Sequence, residues 1–198
     1  MSNPTTRVAK AGGLLTLGLL SALPIVGSPA AAAEPELRLR ALAVNMSGVG
    51  RPGAETLDIV IERWSTDADQ KMVIDTLKER GDKLLDALQD LEPRAGYIRT
   101  TTSLGWDIQY ARQEELSSGG RRVVFATDRP MSFYELRNRT RSSEFEFMFC
   151  EIRLRPDGKG EGKLSTVAKI RWDAYERAVE IEDYAIEPVR LTQVSVVK

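Results

Sequence analysis

Residues 144–155 read EFEFMFCEIRLR, and the alternation in this stretch decides the fold class. Its first half has phenylalanine at the odd positions from Phe145 to Phe149, whereas its second half has Ile152 and Leu154 at even positions. Side chains on a strand alternate between two faces, so this change of parity requires a β-bulge or a strand that passes from one buried face to another. Sandwiches and strongly bent barrels contain such strands, and a flat sheet does not.

Other parts of the chain predict further short strands separated by turn residues. The predicted strands are residues 37–45, 56–64, 97–101, 106–112, 122–127, 131–136, 164–172, 178–184 and 189–197. Short strands joined by turns are typical of antiparallel sheets. The sequence has no internal repeat and no linker, so residues 34–198 are predicted to form a single domain.

One segment has helical periodicity instead. Thr66 and Asp69 fit a helix-capping pattern, and apolar residues then recur at helical spacing as far as Pro93. Gly81 predicts a break, so residues 67–91 are predicted to form a helical hairpin whose leucine stripe packs on a sheet. The predicted fold is therefore α+β and strand-dominated: an antiparallel β-sandwich or partly closed β-barrel with one helical hairpin inserted after the second strand.

Residues 1–33 have the three parts of a bacterial signal peptide. Arg7 and Lys10 precede an uncharged, leucine-rich stretch, which ends in small residues up to Ala33. We therefore predict cleavage after Ala33 and export to the periplasm or the cell exterior. A retained membrane anchor is the alternative, because about 20 apolar residues span a bilayer. Glycines and prolines within the stretch weaken a continuous helix and favour cleavage.

The mature chain of about 165 residues has 26 basic and 29 acidic side chains, a net charge of −3. Nucleic-acid binding needs concentrated basic surface, so no nucleic-acid partner is predicted. The predicted partner is a small molecule or an envelope protein. The membrane is a partner only if residues 1–33 are retained.

The chain has no histidine and a single cysteine, Cys150. This composition removes the usual base of serine and cysteine nucleophiles and the usual ligands of zinc, copper and non-haem iron. No metal, cofactor or catalytic residue is assigned, and Cys150 is predicted to be a buried, unreactive thiol. A carboxylate-dependent hydrolase is an alternative and would use a pair drawn from Asp107, Glu114, Asp128 and Glu135.

Two groups of residues are candidates for ligand binding. The densest basic cluster is Arg129, Arg137, Arg139 and Arg141, and arginines at every second position of an extended chain can grip a carboxylate, sulfate or phosphate. A solvated loop is the alternative for this cluster. Trp106 follows a glycine turn and could stack on a sugar or another ring, although most tryptophans belong to a core.

The glycine-rich stretch Gly158–Lys163 does not fit a Walker phosphate loop. Asp157 and Leu164 occupy the positions where that loop needs glycine and Ser/Thr. The stretch also lies between two predicted strands rather than before a helix. Residues 156–162 are therefore predicted to be a hairpin loop.

Six short segments distributed over most of the mature chain resemble a family of secreted bacterial proteins with no assigned function. These segments are AVNMSGVG (43–50), IERWS (61–65), YIRT (97–100), SLGWD (103–107), ATDRP (126–130) and EPVRL (187–191). The resemblance implies export and a single domain, and it implies no activity.

The sequence therefore predicts a non-catalytic binding or structural domain of the bacterial envelope. The first alternative is a lipocalin-like carrier that holds an apolar ligand inside a barrel. That alternative predicts an enclosed cavity lined by Phe145, Phe147, Phe149 and tryptophans, and a filled core would argue against it. The hydrolase is the second alternative.

Overall fold

A computed structural model of the chain describes residues 36–45, 53–129, 147–173, 178–182 and 188–197. The predicted signal peptide and the predicted strand 131–136 lie outside these ranges. The strands are β1 Leu37–Asn45, β2 Gly53–Ile61, β3 Gly96–Thr100, β4 Trp106–Glu115, β5 Arg121–Thr127, β6 Phe147–Leu154, β7 Lys159–Asp173, β8 Ala178–Glu182 and β9 Val189–Val196. The helices are α1 Asp67–Glu79 and α2 Leu84–Gln89, joined through a 3-10 turn, Gly81–Lys83.

Eight strands close into an antiparallel barrel. Strands β1 to β7 pair in chain order, β7 also pairs with β9, and β9 pairs with β1 to complete the ring. Strand β8 pairs with the second half of β7 and extends the wall as a hairpin. The barrel prediction is confirmed, with full closure, and the described residues do not form a sandwich. Two short helices follow β2.

Apolar side chains from all eight strands of the ring fill the inner face of the barrel. On β6 the inward residues are even throughout, from Met148 to Leu154. Phe125 on β5 and Ile98 on β3 are fully inaccessible to solvent. Further inward residues are Leu39, Leu57, Ile59, Ile61, Ile108, Val123, Leu164, Leu191 and Val194. This continuous core is the main source of stability, because burial of apolar surface is the dominant favourable term in folding.

The two helices cover the outer face of β4, β5 and β6. Leu77, Leu84 and Leu88 form a second apolar cluster with Phe147 and the half-buried Phe149. The capping prediction is confirmed, because the Thr66 hydroxyl accepts from the Asp69 amide and the Asp69 carboxylate accepts from the Thr66 amide. Met72 is among the apolar residues at helical spacing that were predicted to pack on the sheet. It is 37% exposed and lies on the solvent side of α1.

Glycines and bulges allow the wall to curve tightly enough to close. A Cβ on Gly96 would lie 2.0 Å from the Val60 carbonyl oxygen, and one on Gly160 would lie 2.1 Å from that of Arg153. Glycine permits these close approaches between neighbouring strands, which is how bent barrels turn their corners. The predicted hairpin loop 156–162 is too long. Gly160 and Gly162 belong to β7, and the turn spans only residues 155–158.

Candidate functional site

The barrel interior holds core side chains where a carrier would hold its ligand. Phe147 and Phe149 were expected to line an internal cavity, but they face outward and lie beneath the helices. Phe145 lies outside the described residues. We predicted that the strand in residues 144–155 itself contains a bulge or passes from one buried face to another. The change of parity has a different cause. The extra residue opposite Phe147 and Phe149 belongs to β7, and β6 keeps its even face inward.

Two of the predicted site residues meet at one end of the barrel, which we call the loop end. It contains the β3–β4 loop, residues 101–105, and the ends of β1 and β5. Arg129 is exposed and donates to the Gly105 carbonyl oxygen at 3.3 Å. Trp106 follows directly, but its side chain is only 6% exposed and belongs to the interior core. Stacking of a ligand on Trp106 stays a prediction.

The other members of the predicted anion cluster cannot be placed. Arg137, Arg139 and Arg141 lie outside the described residues. The anion patch therefore stays a prediction, with Arg129 as its one described member.

Two described acids of the hydrolase alternative, Asp107 and Glu114, do not come together as a pair. Asp107 accepts from Arg94 at 2.6 Å, and Glu114 accepts from Arg122 at 2.5 Å. These two acids lie seven residues apart on β4, which is about 23 Å at the usual rise of a strand. Asp128 follows β5 and has one buried carboxylate oxygen without a hydrogen bond among the described residues. Glu135 lies outside the described ranges.

Arg94 organises the outer wall of β2, β3 and β4 as a structural network. Its guanidinium donates to both oxygens of Glu62 at 3.1 Å, in addition to Asp107. The hydrogen bonds to Glu62, followed by those to Asp107, raise the pKa of Arg94 above its ordinary value. Arg94 and Arg99 each lie 5.5 Å from the centre of the Tyr97 ring, so the positive charges on this wall already have partners.

Cys150 points into the barrel and is fully buried, as predicted. Burial, with a smaller contribution from Glu151, raises the pKa of its thiol well above the ordinary value, so the nucleophilic thiolate is disfavoured. Within the described ranges, no three acids or cysteines cluster in a way that could hold a metal ion. The same ranges include no helix that is long and apolar enough to cross a bilayer.

A groove of about 420 Å³ lies on the open outer wall formed by β6, β7 and β9. We call it the wall groove. It is lined by Glu151, Arg153, Glu161, Gly162, Lys163, Arg190, Leu191 and Thr192. Much of the surface of the groove is apolar. The long stems of charged side chains can contribute surface of this kind.

A local irregularity of β9 borders the wall groove. β9 has one residue more than β7 between Leu191 and Val194, and one residue more than β1 between Thr192 and Ser195. This bulge contains Gln193, whose backbone is in the left-handed conformation with φ of 52°. Residues other than glycine, asparagine and aspartate seldom adopt this conformation, and bulges are frequent beside functional sites.

Two cations face each other across β7 and β9 in the wall groove. Lys163 on β7 lies directly opposite Arg190 on β9. On its other side Lys163 lies opposite Glu151, but the Glu151 carboxylate accepts from Arg153 on its own strand at 2.8 Å. In the described part of the chain, Lys163 forms no ion pair. Like charges directly opposite one another destabilise a sheet.

A second groove, of about 490 Å³, lies at the opposite end of the barrel between the turns 116–120 and 155–158. Two of its arginines have partners: Arg121 donates to the Gln113 side chain at 3.1 Å, and Arg155 lies 3.5 Å from Asp157.

The sequence analysis did not single out Lys163 or Arg190. Lys163 was noted only as the end of a glycine-rich stretch, and Arg190 only as part of the last strand. Their juxtaposition depends on the register of β7 against β9, which a single sequence does not specify. One signal could have identified them: each of the two strands has a cation at an outward position, and Gly160 and Gly162 lie nearby.

The loop end, the wall groove and the second groove are places where described residues could meet a ligand. The likeness to secreted bacterial proteins stays a prediction. A scan against protein-family models and searches of curated proteins and of solved structures found no match to this chain.

Proposed function

We propose that this chain is an exported, non-catalytic binding domain whose barrel is a rigid scaffold and whose ligand contacts lie on its outside. The observation that carries the proposal is the filled interior. An eight-stranded barrel is just wide enough either to be packed by side chains or to hold one small ligand. The fully buried Ile59, Ile98, Phe125 and Ile152 favour the first of these two uses.

The composition and the placement of the acids support a binding role over catalysis. Of the acids named for hydrolysis, Asp107 and Glu114 are each bound to an arginine and lie apart along β4. Without histidine, and with its thiol buried, the chain has few groups that could transfer a proton near neutral pH. Export follows from the pattern of residues 1–33.

A lipocalin-like carrier is the second candidate, and the topology favours it. Lipocalins are closed, eight-stranded, up-and-down barrels, and the ring β1 to β7 plus β9 has the same strand count and antiparallel order. Small inward residues such as Ala41, Ala43 and Ala111 leave room that larger residues would occupy. The two candidates differ in one respect: the carrier holds its ligand inside, and the scaffold holds it outside.

The test is native mass spectrometry of the protein purified from the envelope fraction of its own host. We expect an intact mass that corresponds to residues 34–198 and no apolar ligand that stays bound until the barrel unfolds. Recovery of the full-length chain from the cytoplasm would contradict export. An apolar molecule that is released only on unfolding would replace the scaffold by the carrier.

A further inference from the structure

We propose that bound water occupies a buried polar site between the two helices and the barrel wall, where it joins Arg63, Gln109 and Asp128. We call this site the polar seam. The inference goes beyond the proposed function and does not depend on it, because it concerns how the helices are attached to the wall and not what the barrel binds.

Three buried atoms without protein partners are the first reason. They are Nη2 of Arg63, Oε1 of Gln109 and Oδ1 of Asp128, and within the described ranges no other buried side-chain nitrogen or oxygen lacks a hydrogen bond. A buried polar atom without a partner is costly, so such atoms in folded proteins are generally bonded to protein or to ordered water. This set of one donor and two acceptors therefore requires a partner other than protein.

The bulge in β4 is the second reason, because it brings two of the three residues together. The pairing of β4 with β5 is shifted between Ile108 and Tyr110, which makes Gln109 the extra residue of the bulge. Ile108 lies opposite Thr127, so Asp128 follows directly on the β5 side of the bulge. Bulges re-aim side chains and are frequent beside functional sites.

Arg63 lies on the other side of the bulge. Its amide donates to the Ala95 carbonyl oxygen at 3.1 Å, and the Ala95 amide donates to the Ile108 carbonyl oxygen at 2.7 Å. Two residues after Arg63, the Ser65 amide donates to the Ala111 carbonyl oxygen at 2.8 Å. The chain from Arg63 to Ser65 therefore runs alongside the bulge.

Each helix reaches the polar seam with one end. Asp69, in the first turn of α1, accepts from Nη1 of Arg63 at 3.3 Å, and Gln89, the last residue of α2, donates to the Asp128 backbone carbonyl oxygen at 3.2 Å. Nε of Arg63 donates to the Pro93 carbonyl oxygen at 2.6 Å, so Nη2 is the guanidinium nitrogen that is left for another partner. The polar seam thus lies where the helices join the wall.

The charges and hydrogen-bonding groups of the polar seam select its occupant. A bare cation would lie against the guanidinium and an anion against the carboxylate, so a small neutral molecule fits best. Water donates two hydrogen bonds and also accepts, and a buried water typically forms about three hydrogen bonds in all. A water that accepts from Arg63 and donates to Gln109 and Asp128 satisfies all three atoms.

The experiment detects this water by NOESY and ROESY NMR spectra of the mature protein. We expect cross-peaks between water and the γ protons of Gln109, with the sign of a long-lived contact. Gln109→Met keeps the length of the side chain but removes its amide, so residue 109 should lose these cross-peaks.

Thermal unfolding supplies a second readout. Gln109→Met should lower Tm by about 2–6 °C, because Arg63 and Asp128 lose the partner that they share. The matched control is Gln113→Met, which makes the same change at an exposed position of the same strand and should change Tm by less than about 2 °C.

A conservative variant tests the choice of water over a cation. Asp128→Asn keeps a carbonyl oxygen as acceptor, so the cross-peaks between water and Gln109 should persist. Their loss would mean that the occupant needs the negative charge, which would overturn the choice of water.

Absence of the cross-peaks in the natural protein would overturn the inference. A higher Tm of Gln109→Met would do the same, because it is the result expected where an unpaired buried amide is replaced by an apolar side chain. A direct hydrogen bond from the Gln109 side-chain amide to Asp128, without water contacts, would also overturn it. None of these outcomes bears on exterior binding, which native mass spectrometry tests separately.

Discussion

The two halves of the outer face of β6 differ in what covers them. At the start of the strand, Phe147 and Phe149 lie under α1 and α2, and they are buried or half-buried. Two residues further on, Glu151 and Arg153 face solvent and line the wall groove. The inner face is the same in both halves, with even-numbered apolar residues from Met148 to Leu154.

This difference explains the change of parity that marks residues 144–155. Apolar residues at odd positions pack against the helices outside the barrel, and those at even positions pack into the core inside it. A strand buried on both faces has a nearly continuous apolar run, and a strand buried on one face alternates. In β6 the odd-numbered residues thus change from apolar to charged at the point where the helical layer ends and the open wall begins.

The interior should be the most sensitive region. Phe125 is fully buried at the centre of the core, so Phe125→Ala should lower the free energy of unfolding by about 3–5 kcal/mol. Urea denaturation at neutral pH measures the change. A loss below about 1 kcal/mol would mean that the interior is loosely filled, and would favour a carrier.

The two halves of the outer face should differ in the same assay. Phe149→Ala removes a half-buried ring from beneath the helices and should cost about 2 kcal/mol, less than a fully buried ring. The matched variant Glu151→Ala, on the same face of the same strand, breaks only an exposed ion pair with Arg153 and should cost less than about 0.5 kcal/mol. Equal losses would contradict the boundary between covered and open wall.

The attachment of the helical layer depends on the cap of α1. Thr66→Ala removes the hydroxyl that accepts from the Asp69 amide at 3.1 Å, and should cost about 1 kcal/mol. Hydrogen exchange should show faster exchange in α1 while the amides of β6 stay protected. Faster exchange throughout the barrel would mean that helices and barrel open together.

The smallest expected effect is a dependence of the same cap on pH. The hydrogen bond from the Thr66 amide, aided by Arg63, lowers the pKa of the Asp69 carboxyl below its ordinary value. A lowered folded-state pKa contributes stability above the unfolded pKa of about 3.9, and this contribution is lost as the pH falls through the folded pKa. The natural protein should therefore be more stable than Asp69→Asn at pH 6, and the difference should shrink to nothing in strong acid. A difference that is constant with pH would show that the charge of Asp69 contributes nothing.

Much of the fold could be predicted because periodicity and turn chemistry are local. The bounds of β1, the start of β4, the end of β5 and the Thr66 cap follow from alternation, glycine turns and a capping pattern. Barrel closure could not be chosen over a sandwich, because it depends on the pairing of β9 with both β1 and β7, which joins distant parts of the chain. The odd-numbered phenylalanines of β6 were misinterpreted as cavity-lining for a similar reason: they are buried by helices some 60 residues earlier in the chain.

The candidate site was less predictable than the fold. Arg129 and Trp106 were recognised by residue type, and the structure brings them together at the loop end through Gly105. Lys163 and Arg190 were not recognised, because a facing pair of cations exists only once the register of two strands is known. Charge on an exposed strand has no distinguishing pattern in a single sequence.

The central claim is that ligands meet this barrel on its outer wall and not in its interior. The most direct test is a titration of the mature protein with small apolar probes, hexanol and hexanoate, followed by the isoleucine methyl signals in NMR spectra. We predict unchanged methyl signals of Ile59 and Ile98, which face the core. Saturable shifts of those inward methyl signals would contradict the claim.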